Sequence, residues 1–236
     1  MMTEEDLINH ELENSGTSWT KNEFFDANGY LIIKKICDPK LLHCPVPTDR
    51  GLFKWWGMRE EQFISLDDQQ VEDSVERYWY PQYKDIHINI KDIVETAIGR
   101  GLYETYYYDR FYFPGQELKK HVDRPACEIS VSIHISTNLP DPEKNWPLWI
   151  KATDTYIDEQ KTGVLVPGEE RSVICQPGDG VIYKGCERPH WREPMPGLLE
   201  SIRDGLDKHS LYYHQIFFHY VLQDGVRAHY AWDKGR

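Results

Sequence analysis

The sequence predicts a mainly β protein of the α+β class: a double-stranded β-helix (jelly roll) core with supporting N-terminal helices. Two observations carry this prediction. Hydrophobic spacing changes from a period near 3.6 before Gly101 to a period near 2 after it. Strand candidates then follow at 103–113, 127–136, 147–151, 162–166, 171–175, 180–184, 189–193 and 211–222, separated by Pro/Gly turns such as Leu139-Pro140-Asp141-Pro142, Pro167-Gly168 and Pro177-Gly178-Asp179-Gly180. Short strands joined this way suggest two antiparallel sheets, and the mouth between such sheets can hold a metal.

Ahead of that core, residues 1–20 form a polar extension, and 21–236 read as one domain with a helical or irregular part over about 21–101 and the core over about 102–225. In Asn22–Ile36, NEFFDANGYLIIKKI, the pattern predicts a short helix, an Asn28-Gly29 turn and a buried strand Tyr30–Ile33, ended by Asp38-Pro39. Residues 43–84 are irregular and rich in aromatics, with a short helix expected near 68–77. Ile90, Ile93, Val94, Ala97 and Ile98 recur at helical spacing over Ile88–Gly99, an amphipathic helix capped by Gly99.

Composition narrows the function classes. A chain of 236 residues, 40% hydrophobic and with no apolar run of about 18 residues, is that of a folded protein without a spanning helix. The acidic N-terminus lacks a signal-peptide profile, so a cytoplasmic location is expected. Cys37, Cys44, Cys127, Cys175 and Cys186 show no paired C-x-x-C spacing, which argues against a disulfide framework or a structural zinc site. A net charge of −12 opposes broad attraction to nucleic acid or anionic membrane, leaving small-molecule, peptide or protein substrates.

The stretch Tyr106–Asp123, YYYDRFYFPGQELKKHVD, closes on His121 and Asp123. Residues i and i+2 of an extended strand share a face, so both side chains can reach one metal ion. His190, after the turn and apolar strand of PGDGVIYKGCERPHWRE, is the best second imidazole. Two histidines and a carboxylate make the facial triad of non-haem Fe(II) oxygenases, with coordination positions left open.

The order His121-x-Asp123 then His190, with Pro-Gly-Asp and an apolar strand before the distal histidine, resembles the 2-oxoglutarate and Fe(II)-dependent dioxygenases, above all prolyl-hydroxylase-like members of bacterial or phage type. Phe113-Pro114-Gly115 and HVDRP are similar to motifs of oxygen-sensing prolyl hydroxylases, and NGYLIIKKICDP resembles the opening of phytanoyl-type members. The resemblance makes 21–236 a single catalytic domain. It implies Fe(II), 2-oxoglutarate and O2 as cofactors and cosubstrates, with ascorbate as a candidate reductant. It also implies hydroxylation of a C–H bond, of a prolyl or other amino-acid residue, with release of succinate and CO2. Because Asp123 is present, hydroxylation is implied over halogenation.

The family places an Arg or Lys about ten residues after the distal histidine to bind the cosubstrate's C5 carboxylate; here position 200 is Glu200. Arg192, then His134, then His219 are the substitutes, since Arg192 shares the face of His190 and its planar fork suits a carboxylate. Tyr112 matches a cosubstrate-binding tyrosine of the family, and Tyr106, Tyr108, Arg110 and Tyr112 alternate on one strand face. Arg124 is a candidate to fix a neighbouring group or an acidic substrate. Residues 43–84 and 194–210 are lid candidates. Two other classes remain: a jelly-roll binding module using Trp55, Trp56, Trp146 and Trp149 as stacking platforms, and a cupin-like metalloprotein without 2-oxoglutarate.

Overall fold

Asn22 caps helix α1 (Glu23–Asn28), its side-chain oxygen accepting from the Phe25 amide at 2.9 Å. Gly29 ends the helix at φ 78°, so the Asn28-Gly29 pair is a helix C-terminus rather than a hairpin turn. The computed structural model describes residues 21–44, 70–139, 146–156, 165–197 and 210–233 and positions 202 and 205. Strand β1 (Tyr30–Ile33) follows, and a 3₁₀ turn (Pro39–Leu41) occupies the Asp38-Pro39 break.

The helix expected near 68–77 does not form over its described part. Val75–Tyr78 is strand β2, antiparallel to β3 (Leu102–Tyr112), with Glu76 opposite Arg110 and Arg77 opposite Asp109. Those two cross-strand ion pairs override the local helical signal. Helix α2 spans Lys84–Ile98 and therefore starts before Ile88, led in by a 3₁₀ turn over Pro81–Tyr83. Its buried face carries His87, Ile90, Val94, Ala97 and Ile98, and Gly99 closes it in the left-handed region.

The remaining strands are β4 (Leu118–His121), β5 (Ile129–Thr137), β6 (Leu148–Lys151), β7 (Thr155–Tyr156), β8 (Leu165–Val166), β9 (Glu170–Val173), β10 (Gly180–Tyr183), β11 (His190–Arg192) and β12 (Tyr213–Leu222). A six-stranded sheet in the order β1-β10-β5-β12-β3-β2 faces a four-stranded sheet, β4-β11-β6-β9, with every pairing antiparallel: a jelly roll. The expected strand at 127–136 starts two residues late, because Pro125–Cys127 turns as a 3₁₀ segment. The strand expected at 171–175 is shifted to Glu170–Val173, and of the 162–166 expectation only Leu165–Val166 is described, paired with Thr155–Tyr156. A 3₁₀ segment at Ala228–Asp233, absent from the sequence expectations, packs on β3. The polar extension 1–20, residues 45–69 of one lid candidate and most of the other lie outside the described residues.

The six-stranded sheet has two buried faces of opposite character. Outward, Ile129, Val131, Ile133 and Ile135 of β5 and Ile216, Phe218 and Tyr220 of β12 join α2 in one apolar core. Inward, toward the smaller sheet, the alternate residues Ser130, Ser132 and His134 of β5 and Tyr213, Gln215 and His219 of β12 are also buried.

Candidate metal centre

The pairing of β11 with β4 sets His190 directly opposite His121, so two imidazoles from different strands meet over the mouth of the roll. Their ring centroids are 4.3 Å apart. Asp123, just past β4, places Oδ1 3.5 Å from His121 Nε2 and 3.4 Å from His190 Nε2. The structure thus brings all three sequence-predicted ligands into one group, with ligand atoms within 4.8 Å of one another.

Hydrogen bonds behind the rings fix their tautomers. His121 Nδ1 donates to the Lys119 carbonyl at 2.7 Å and His190 Nδ1 donates to the Arg188 carbonyl at 2.9 Å. Each Nε2 therefore presents a lone pair beside the same carboxylate oxygen. Three acceptors aimed at one point are satisfied by a cation, and nitrogen, nitrogen and oxygen donors suit a divalent transition metal. Burial raises the Asp123 pKa, but once the neighbouring imidazoles take up protons, His190 above all, their charge and hydrogen bonds outweigh it and hold the carboxyl well below its usual range.

Asp123 is itself held. Its amide donates to the Gly185 carbonyl at 2.9 Å, and Ser130 Oγ donates to Oδ2 at 2.8 Å. His219 Nδ1 lies 3.0 Å from Ser130 Oγ, so the chain runs His219 to Ser130 to Asp123. Burial pushes His219 down to about 3, which keeps its ring neutral. His219 thus reaches the carboxylate through Ser130. Gly185 is required by space: a Cβ there would overlap Asp123 Oδ2, the Cys127 carbonyl and Ser130 Oγ. Neither Ser130 nor Gly185 carries a motif, and each is visible only once β5 and the turn after β10 converge.

Deeper between the sheets, Arg192 and Tyr213 form the polar end. Arg192 is 3% exposed, its guanidinium 4.8 Å from the Trp146 ring centroid and 5.0 Å from that of Tyr213, and it donates to the Trp146 carbonyl. Arg192 Nε and the Tyr213 hydroxyl are buried without a hydrogen-bond partner. His134 stacks on Tyr213, but its Nδ1 donates to the Cys175 carbonyl at 2.7 Å and burial lowers its pKa to about 4. Its remaining nitrogen is a lone pair on a neutral ring, wrong for receiving a carboxylate. Tyr213, which the sequence reading passes over because tyrosines on a β strand read as core, brings an O–H donor to the Arg192 side of this space.

The other candidates separate. Tyr108 and Arg110 line the triad cavity with Gln70, Gln215 and Phe217. Tyr112 accepts from Arg110 Nη1 at 3.1 Å, and Tyr106 lies against Cys127 Sγ at 3.2 Å and stacks on His219. Arg124 pairs with Asp233 at 2.8 Å and sits over the Tyr106 ring. Trp146, expected as an exposed platform, is buried at 2% because it fills the space between Tyr112 and Tyr213; Trp149 is half-buried against Trp191. Trp55 and Trp56 lie outside the described residues. A second cluster of potential ligands, Cys44, Asp109 and His214, already holds the Arg77 guanidinium, which bonds Asp109, Cys44 and Tyr83.

No protein-family model matches the chain, and no curated protein does. Among solved structures, HygX from Streptomyces hygroscopicus, with nickel and 2-oxoglutarate bound, is 10% identical, with a TM-score of 0.50 over 84% of this chain and 84% of that chain. The non-heme alpha-ketoglutarate-dependent epimerase SnoN from nogalamycin biosynthesis is 9% identical, with a TM-score of 0.50 over 84% of this chain and 79% of its own. A prolyl-4-hydroxylase from Pseudomonas putida is 14% identical, with a TM-score of 0.48 over 83% of this chain and 94% of its own. At these identities, the first two likenesses show a shared fold.

Proposed function

We propose that this protein is an Fe(II)- and 2-oxoglutarate-dependent dioxygenase that hydroxylates a C–H bond, of a prolyl or other amino-acid residue, with release of succinate and CO2. The observation that carries the reading is the convergence of two Nδ1-anchored imidazoles and one carboxylate at a single point. His121, Asp123 and His190 would hold the iron. The bound iron and cosubstrate supply the oxidising chemistry, for which no side chain has an equivalent.

The chain's own residues orient and enclose. Ser130 and His219 keep Asp123 aimed, and Gly185 lets the turn after β10 approach it. Arg192 offers a fixed charge and Tyr213 an unused hydroxyl for the far carboxylate of 2-oxoglutarate, which replaces the basic residue absent from the inward face of β12. The triad cavity as it stands has a volume of about 10 Å³, so cosubstrate entry requires side chains at its mouth to move. Next to it an open groove of about 560 Å³ lies between 70–73 and 113–117, a size that suits a small molecule or peptide segment. All five cysteines are free thiols, which fits a reducing, cytoplasmic setting, and no described helix is long and apolar enough to cross a membrane.

Succinate formation from 2-oxoglutarate with added Fe(II) and ascorbate tests the proposal. Turnover that disappears in Asp123→Ala is expected. Absence of both turnover and iron binding in the wild-type protein overturns it.

A further inference from the structure

Gln70 separates the triad cavity from the open groove and lines both. Its carboxamide is bound at each end. The Nε2 amide nitrogen donates to His121 Nε2 at 2.8 Å, the lone pair facing Asp123, while Oε1 accepts from Arg110 Nη2 at 3.1 Å. A glutamine from the groove side therefore bridges a metal ligand and a buried guanidinium.

The environment of Arg110 says what it would accept in place of Gln70. Arg110 is 1% exposed, bonded to Tyr112 and paired with Glu76, itself 1% exposed, so its charge is already neutralised inside the protein. Glu76 Oε2 is buried with no hydrogen-bond partner and adds an unused acceptor. The groove beyond carries Glu72, Asp73 and Glu117 against Lys119. A second carboxylate brought to this spot would meet a compensated guanidinium and an acidic rim, at a desolvation cost that nothing there offsets. A neutral carbonyl that repeats the glutamine's own contact meets no such penalty.

We propose that Gln70 is a latch whose side-chain amide stands in for the substrate: a peptide or carboxamide compound entering along the groove displaces it and docks a neutral amide carbonyl on Arg110. This rests on the metal-dependent hydroxylase reading. Metal held at His121 would also take the lone pair that Gln70 occupies, so loading the site and releasing the latch are coupled.

Titration with Co(II), followed by its visible spectrum, tests both parts. Gln70→Ala is expected to bind Co(II) about tenfold more tightly than wild type, because it removes a competing hydrogen bond. In Co(II)-loaded Gln70→Ala, propionamide, which restores the lost group, is expected to bind about tenfold more tightly than the isosteric propionate. Unchanged or weakened Co(II) affinity in a variant that melts like wild type overturns the latch. Propionate binding as tightly as propionamide, or neither binding, overturns the substrate class. If wild type takes no Co(II), or His121→Ala takes it equally well, the metal reading itself fails.

Discussion

The two faces of the six-stranded sheet are equally buried and chemically opposite. Outward, β5 presents Ile129, Val131, Ile133 and Ile135 to α2, and the contacts there are apolar and filled. Inward, the same strand presents Ser130, Ser132 and His134, and the partner strand β12 adds Tyr213, Gln215 and His219. Among the described residues, unpartnered buried polar atoms of these strands are more numerous on the inward side, with Arg192 Nε, the Tyr213 hydroxyl, Gln215 Oε1, His134 Nε2 and His219 Nε2, while the outward His214 leaves Nδ1 unpartnered. A native core leaves few such atoms, because each costs roughly 1–3 kcal/mol. One face therefore stabilises the fold, and the other carries polar capacity that a bound ligand can satisfy.

Substitutions should separate the faces. The largest effect belongs to the inward side: Asp123→Ala should abolish specific Co(II) or Fe(II) binding by calorimetry while moving the melting midpoint little. On the outward side, Ile133→Ala should cost about 2–5 kcal/mol in denaturant unfolding, the usual result of emptying a filled core site, with metal affinity retained. If Ile133→Ala lowered metal affinity as strongly as stability, the two faces would not be independent.

His87 gives a pH-dependent version of the same contrast. It is packed on α2 against Phe218 and Tyr220, and burial lowers its pKa from 6.5 to about 4. Below about pH 6.5 the unfolded chain takes up a proton that the folded ring refuses, so stability present above that pH is lost as pH falls toward 4, by about 3 kcal/mol. His87→Leu should flatten that decline when unfolding is followed between pH 7 and 4. A smaller effect is expected from Ser130→Ala, which should weaken metal binding by about tenfold through a less well-held Asp123. Unchanged affinity would remove Ser130 and His219 from the site.

The triad was legible because its ligands lie two residues apart on a strand end and in one recognisable turn-strand-histidine stretch. The sheet was legible because period-2 alternation survives on both faces, although alternation alone reads as core against solvent. It cannot show that the polar side is buried as well. Arg192 stands out in the sequence by its spacing from His190, whereas Tyr213 and Gln70 acquire meaning only through contacts across the fold. The helix expected near 68–77 failed for the same reason: the partners of Glu76 and Arg77 are on β3, far along the chain. His134 lies on the inner face, and its proton position, set by the Cys175 carbonyl, is not readable from sequence.

The central claim is that the triad and the Arg192–Tyr213 end form one cosubstrate site. It is tested most directly by adding 2-oxoglutarate to the Fe(II)-loaded protein under anaerobic conditions and recording the visible spectrum. A charge-transfer band that saturates with 2-oxoglutarate, weakens in Arg192→Met and vanishes in Asp123→Ala is predicted. Stoichiometric Fe(II) binding with no band at any 2-oxoglutarate concentration would contradict the account and leave a cupin-like metalloprotein in its place.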